Sequence, residues 1–171
     1  VLQLQPSRSD HVLVYVTSGF QSLLEVLRQF GGDRFLVYGY DREDRDGPLQ
    51  YQPFSRDGFL ADLASCRAVI GTAGFTLISE ALHLKKPYCA LPMQGQFEQQ
   101  LNAHQLAGQG YGASVSRATG EAIAEFFERL PDYRRRLQGY ASSDNSQIQH
   151  KLDELLADGA AVASDFHRRR R

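Results

Sequence analysis

Residues 69–102 read VIGTAGFTLISEALHLKKPYCALPMQGQFEQQLN, and this run constrains the fold more than any other part of the chain. Ala68-Val69-Ile70 is apolar and stops at Gly71-Thr72-Ala73-Gly74. An amphipathic segment from Phe75 to Leu84 follows, with Glu80 inside it. A second apolar run, Tyr88 to Leu91, ends at Pro92, and a polar loop from Gln94 to Gln100 opens a further helix. Strand, glycine turn, helix, strand, loop, helix is a βαβα unit. Units of this kind bind ligands at the carboxyl ends of their strands, where these loops fall.

The residue types in those loops suit a nucleotide. Gly71 and Gly74 are expected to let the backbone turn tightly and approach a ligand. The helix they open offers unpaired N–H groups and a positive dipole end to a phosphate. Glu80 lies six residues past Gly74, about 9 Å along a helix, which is the reach from a pyrophosphate to a ribose. A carboxylate there can accept from both ribose hydroxyls. A surface Glu behind an ordinary glycine turn has the same spacing, so both readings stay open on spacing alone. Gln94 to Gln100 supplies amides and a carboxylate that could bond sugar hydroxyls; by itself it is also an ordinary polar helix start.

The flanking chain continues the pattern. His11 to Val16 (HVLVYV) is apolar on both parities, as in a central parallel strand. Thr17-Ser18-Gly19 is a small polar loop, with Ser18 as the expected N-cap of a helix carrying Phe20, Leu23, Leu24, Leu27 and Phe30. Gly31-Gly32 end that helix. Arg34–Tyr38 and Leu49–Phe54 are the second and third strands, joined by a charged surface loop, 39–48. Its carboxylates, Asp41, Glu43, Asp44 and Asp46, read as solvated rather than as a metal site. Phe59, Leu60 and Leu63 form one face of a short helix closed by Cys66. Lys85-Lys86 read as a solvated helix end. Tyr111–Val115 is the sixth strand, with helices following over Glu121–Leu130 and from Pro131 through Leu137. A last helix, capped by Ser143 or Asp144, buries Ile148, Leu152, Leu155 and Leu156. The expected architecture is α/β: a Rossmann-like, doubly wound parallel sheet of about six strands, order 3-2-1-4-5-6, with helices on both faces. Residues 1–10 are a linker into the first strand, 11–158 the donor-binding domain and 159–171 a tail.

Composition narrows the function. With 171 residues there is enough chain for one substantial core. A net charge of −1 gives no argument for nucleic acid. No apolar run has the length of a membrane span. Cys66 and Cys89 read as buried thiols of a reducing compartment, ahead of a disulfide. His83 and His104 have no partner at metal-ligand spacing, and no nucleophile, base and orienter come together. The opening Val1 points to a fragment or a processed product. The expected location is the cytoplasm; arginines 168–171 could touch anionic lipid at the inner face of the membrane, although a solvated terminus is the simpler reading.

Gly74-Phe75-Thr76-Leu77-Ile78-Ser79-Glu80, Lys86-Pro87, Pro92 and Glu98-Gln99-Gln100-Leu101-Asn102-Ala103 together resemble the C-terminal, donor-binding half of GT-B glycosyltransferases. The run is similar to the plant and animal UDP-glycosyltransferases, where Gly is followed six residues later by Glu and then by Asp-Gln-x-x-Asn. It is also similar to the N-acetylglucosaminyltransferase of peptidoglycan synthesis, with Ser-Glu at the same spacing and Gln-Gln before Asn-Ala. The resemblance implies a UDP-linked sugar donor and no cofactor or metal. It places Thr72, Gly74, Phe75 and Thr76 around the diphosphate, Ser18 and Gly19 facing the donor at a phosphate or the sugar, and Glu80 at the ribose. Phe54 and Ser55 fall at the base, though Phe54 could equally be a core residue. Glu98 and Gln99 fall at the donor sugar, with Gln96 as a further candidate and Asn102 holding the loop or bonding near the phosphates. It further implies an acceptor and a catalytic base in an N-terminal half, and direct displacement with inversion. Two positions depart from the pattern: Thr72 stands where those families carry His or Arg, and Glu98 where they carry Asp. Three alternatives remain: the catalytic subunit of a two-subunit N-acetylglucosaminyltransferase with a separate acceptor subunit, a UDP-sugar 2-epimerase, or a non-catalytic nucleotide-binding module. Ser79-Glu80, in place of a Glu-Glu pair, argues against the epimerase.

Overall fold

The computed structural model describes residues 4–141. Strands β1 (His11–Tyr15), β2 (Arg34–Tyr38), β3 (Asp44–Asp46), β4 (Leu49–Tyr51), β5 (Ala68–Thr72), β6 (Tyr88–Leu91) and β7 (Gly112–Ser114) form one sheet in the order β3-β4-β2-β1-β5-β6-β7. Every neighbouring pair is parallel except β3 with β4. The six expected strands keep the order 3-2-1-4-5-6. The addition is β3, which lies inside the charged loop 39–48. Its sequence, Asp-Arg-Asp, carries no strand signal because it is an exposed edge held by backbone pairing to β4 and by the Arg28–Asp46 ion pair at 2.7 Å.

Helices α1 (Gln21–Leu27) and α5 (Gly120–Glu128) cover one face, while α2 (Arg56–Ser65), α3 (Phe75–His83) and α4 (Phe97–Gly108) cover the other. Helix α6 (Leu130–Gln138) packs Leu130 and Tyr133 into the first layer and Leu137 into the second. The two layers explain why β1 is apolar throughout: Val12 and Val14 face α1, Leu13 faces α2, and all are fully buried. Each such side chain contributes about 1.5–3 kcal/mol by leaving water. Ser55 caps α2 by accepting from the Gly58 amide at 3.1 Å, and Thr119 caps α5 by accepting from Ala122 at 3.2 Å.

Several local expectations change. Ser18 does not cap α1; it starts a short 3-10 turn, Ser18–Phe20, and Phe20 sits at the cap position. Lys86 is not a solvated helix end. It is 5% exposed and donates from Nζ to the Ser7 carbonyl at 2.6 Å, while Lys85 donates to the Tyr140 carbonyl. Backbone bonds from Ser7 to Ala64 O and from Ser9 to Ser65 O fasten the segment ahead of β1 to the end of α2. The expected last helix with its caps, and the arginine tail, lie outside the described residues.

Candidate functional site

Strand register sets the site. Tyr15 pairs with Tyr38 and Gly71, Gly71 with Ala90, and Thr72 with Leu91. The carboxyl ends of β1, β2, β5 and β6 are therefore level, and the loops that leave them stand side by side. Two glycines make this possible. A Cβ on Gly39, which has φ +101°, would lie 2.1 Å from the Val16 carbonyl oxygen, so only glycine lets the ends of β1 and β2 approach. A Cβ on Gly71 would lie 2.8 Å from the Tyr88 hydroxyl and 2.9 Å from the Tyr15 carbonyl. Tyr40 adds a tie by donating its hydroxyl to the Thr17 carbonyl at 3.1 Å.

The loop between β5 and α3 is held by its carbonyls. The Tyr88 hydroxyl donates to Thr72 O at 2.6 Å, and the Asn102 amide donates to Ala73 O at 3.0 Å. Burial of Tyr88 pushes its phenol well above the ordinary value, so it remains a donor at any working pH. Gly74 occupies the cap position of α3 with φ −69° and ψ 133°, an extended conformation open to any residue. The expected tight turn at Gly74 is thus absent. A Cβ there would meet nothing within 4 Å, so neither the backbone nor the packing of the chain calls for glycine.

Helices differ in how their first turns are finished. α2 and α5 have side-chain caps and an acid in the first turn, Asp57 and Glu121; α4 and α6 have an acid, Glu98 and Asp132. α1 and α3 have neither a capping side chain nor a first-turn acid. These two follow β1 and β5, the adjacent central strands at which the chain order reverses. The first amides and dipole end of α3 are left to a ligand or to water, whereas α1 runs on from the 3-10 turn, where the Phe20 amide already bonds the Thr17 carbonyl at 3.1 Å.

The remaining candidates group around this centre. Phe75 and Thr76 form the exposed first turn of α3, and Glu80 lies half-buried further along the same helix. Thr72 is half-buried at the end of β5. Phe54 is 58% exposed, tilted against Phe59 with centroids 5.7 Å apart, and so is a surface ring rather than a core residue. Ser55 has its hydroxyl committed to the α2 cap. Gln99 accepts from the Met93 amide at 3.0 Å and donates to the Gln96 side chain at 2.7 Å, which ties the loop after β6 to itself. Glu98 is exposed at the start of α4. Gly19 lines a cleft of about 460 Å³ with Ser22, Pro92, Met93, Gln94 and Arg117. Ser22, Tyr88 and Arg117 were not singled out from the sequence. Arg117 follows β7 at the same end of the sheet, so the sheet-end rule was the available signal; Tyr88 reads simply as a strand residue.

Phe54, Phe75, Met93, Phe97 and Leu101 are the large apolar side chains exposed among the described residues, and they follow β4, β5 and β6. The same end of the sheet therefore has an apolar rim. No three His, Cys, Asp or Glu side chains gather to hold a metal ion, and no helix is long and apolar enough to cross a membrane, among the described residues.

Solved structures share this arrangement. The glycotransferase of kitacinnamycin superposes with TM-score 0.61 at 18% identity, over 80% of this chain and 40% of that one. The spinosyn forosaminyltransferase SpnP gives 0.60 at 20% identity, over 91% and 46%. Medicago truncatula UGT71G1 complexed with UDP-glucose gives 0.63 at 18% identity, over 90% and 41%. The chain spans less than half the length of each. No curated protein matches the sequence. The sequence model of glycosyl transferase family 1 matches residues 1–131, and the chain, with the Rossmann-like fold of GT-B glycosyltransferases, belongs to that family.

Proposed function

We propose that this chain is the donor-binding half of a glycosyltransferase that moves a sugar from a UDP-linked donor to an acceptor held by another half or a separate subunit. The observation that carries the reading is the unfinished start of α3 at the centre of the sheet. The free amides of α3 suit one phosphate of a diphosphate, and the loop ahead of α1 leaves the neighbouring strand beside them. The tethered Thr72 and Ala73 carbonyls support it, since they are turned to Tyr88 and Asn102 and do not compete for that position. The open space over Gly74 gives room for a phosphate oxygen to come close to backbone. Glu80 takes the ribose hydroxyls, Phe54 stacks on the base beside Ser55, and Glu98, Gln99 and Gln96 meet the sugar. Thr72 and Ser18 add hydroxyls to the phosphates. UGT71G1, a structural neighbour, was crystallised with UDP-glucose, which favours uridine.

In this reading the chain holds the leaving group. As the glycosidic bond breaks, charge grows on the β-phosphate, and the helix end and hydroxyls stabilise it with no metal called for. The base that deprotonates the acceptor belongs to the other half, and displacement inverts the anomeric carbon. The apolar rim of Phe54, Phe75, Phe97 and Leu101 is the surface such a half would cover.

Calorimetric titration with UDP, UDP-N-acetylglucosamine, GDP and TDP tests the proposal. One nucleotide should bind, and Glu80→Ala should weaken it by about 5- to 150-fold, since lost ribose bonds cost about 1–3 kcal/mol. Equal affinity in wild type and variant sinks the assignment of Glu80. Binding with no transfer, even with an acceptor half supplied, would favour a nucleotide-binding module.

A further inference from the structure

The opposite end of the sheet carries a second concavity. A cleft of about 300 Å³ lies between the segment leading into β1, the end of α2 and the start of β6. Arg8, Arg67, Lys85, Lys86 and Arg134 line it, beside the Cys66 thiol. These cations come from separate parts of the chain, so the fold, not local sequence, brings them together.

Buried Lys86 and half-buried Arg134 have no anionic partner among the described residues. Lys86 is 5% exposed, and its ammonium has one hydrogen bond among the described residues, to the Ser7 carbonyl. Arg134 donates to the Arg67 carbonyl at 3.0 Å. Arg67 pairs with Asp33, and its Nε is buried with no hydrogen-bond partner among the described residues. Burial chiefly lowers the proton affinity of Lys86 and Arg134; Cys66 opposes this at both, and neighbouring cations add to it, Arg134 and Arg8 at Lys86, Arg8 and Arg67 at Arg134. Like charges drawn out of water repel one another unless an anion joins them. Planar guanidinium forks beside an ammonium match a tetrahedral oxyanion.

We propose that this cleft binds a phosphate group, at the end of the strands remote from the donor loops. The group could belong to a soluble phosphate or to a lipid headgroup, and the chemistry of recognition is the same.

Thermal denaturation of the 171-residue chain, in phosphate and in chloride at equal ionic strength, tests the site. With about 10 mM phosphate and a Kd of about 1 mM, Tm should rise by about 3–6 °C. The rise should be lost in Arg134→Gln and in Arg8→Gln, and retained in Arg45→Gln, on the far edge strand. Arg8 is exposed, so Arg8→Gln does not disturb the core. No rise in the wild type, or the same rise in all variants, overturns the proposal. Flotation with phosphatidylcholine vesicles containing phosphatidic acid, abolished by the same two substitutions, assigns the site to a lipid headgroup. A thermal shift without flotation assigns it to a soluble phosphate. Neither Arg8 nor Arg134 takes part in the donor reading, so their substitutions and the Glu80→Ala titration can fail or succeed independently.

Discussion

The hydroxyl of Tyr88 lies 2.6 Å from the carbonyl oxygen of Thr72, and the same hydroxyl stands where a side chain at position 71 would have to go. One buried phenol thus both supports the loop after β5 and keeps its preceding residue a glycine. Tyr88→Phe retains the ring and removes the donor. The unpaired carbonyl should cost about 1–3 kcal/mol in urea denaturation. Nucleotide affinity should fall with it, because the first amides of α3 lose their fixed position. Unchanged stability would mean that water replaces the phenol.

Two glycines at the same end of the sheet should respond in opposite ways. Gly39→Ala forces a Cβ onto the Val16 carbonyl at a positive φ and should destabilise the fold by about 2 kcal/mol or more. Gly74→Ala adds a methyl to open space at an ordinary φ. It should leave stability within about 0.5 kcal/mol of wild type while weakening nucleotide binding about tenfold or more. Loss of stability in Gly74→Ala would show that the glycine serves the chain rather than a ligand.

His11 gives the stability a pH dependence. Burial lowers its pKa below the usual 6.5, and the hydrogen bond it donates to Asp62 O, 3.1 Å away, only partly opposes this. The folded state therefore binds a proton less readily than the unfolded one. The contribution is fully present above pH 6.5 and is lost as pH falls from there towards the lowered folded value. Urea midpoints measured across that window should decline in the wild type and decline less in His11→Gln.

Cys66 and Cys89 are both fully buried and free, and burial pushes each thiol up to about 12. A thiol reagent at pH 8 should label neither in the native chain and both in denaturant. Rapid native labelling of Cys66 would show that the cleft beside it opens.

The sheet order was legible because β1, β2, β5 and β6 are covered on both faces, and double coverage leaves a continuous apolar run that needs no alternation to be seen. Gly71 was read as part of a turn, yet it lies inside β5, where the Tyr88 hydroxyl and the Tyr15 carbonyl leave no room for a side chain. The site was not legible at Tyr88, whose role depends on a bond to a neighbouring strand, nor was Lys86, whose burial depends on a chain segment 79 residues earlier. β3 escaped notice because Asp44–Asp46 is paired through backbone alone. Gly74 was noticed for its turn, yet its geometry points to the space above it instead.

That short strand also limits how the sheet can be extended. β3 runs antiparallel along the outer side of β4, three residues long and charged at each position, and such a margin is a poor template for a further strand. β7 at the other margin is equally short. Growth by strand addition is thus discouraged at both flanks. Under the reading proposed above, an acceptor half would meet the chain end-on, over the loops, and every ladder bond would stay intact.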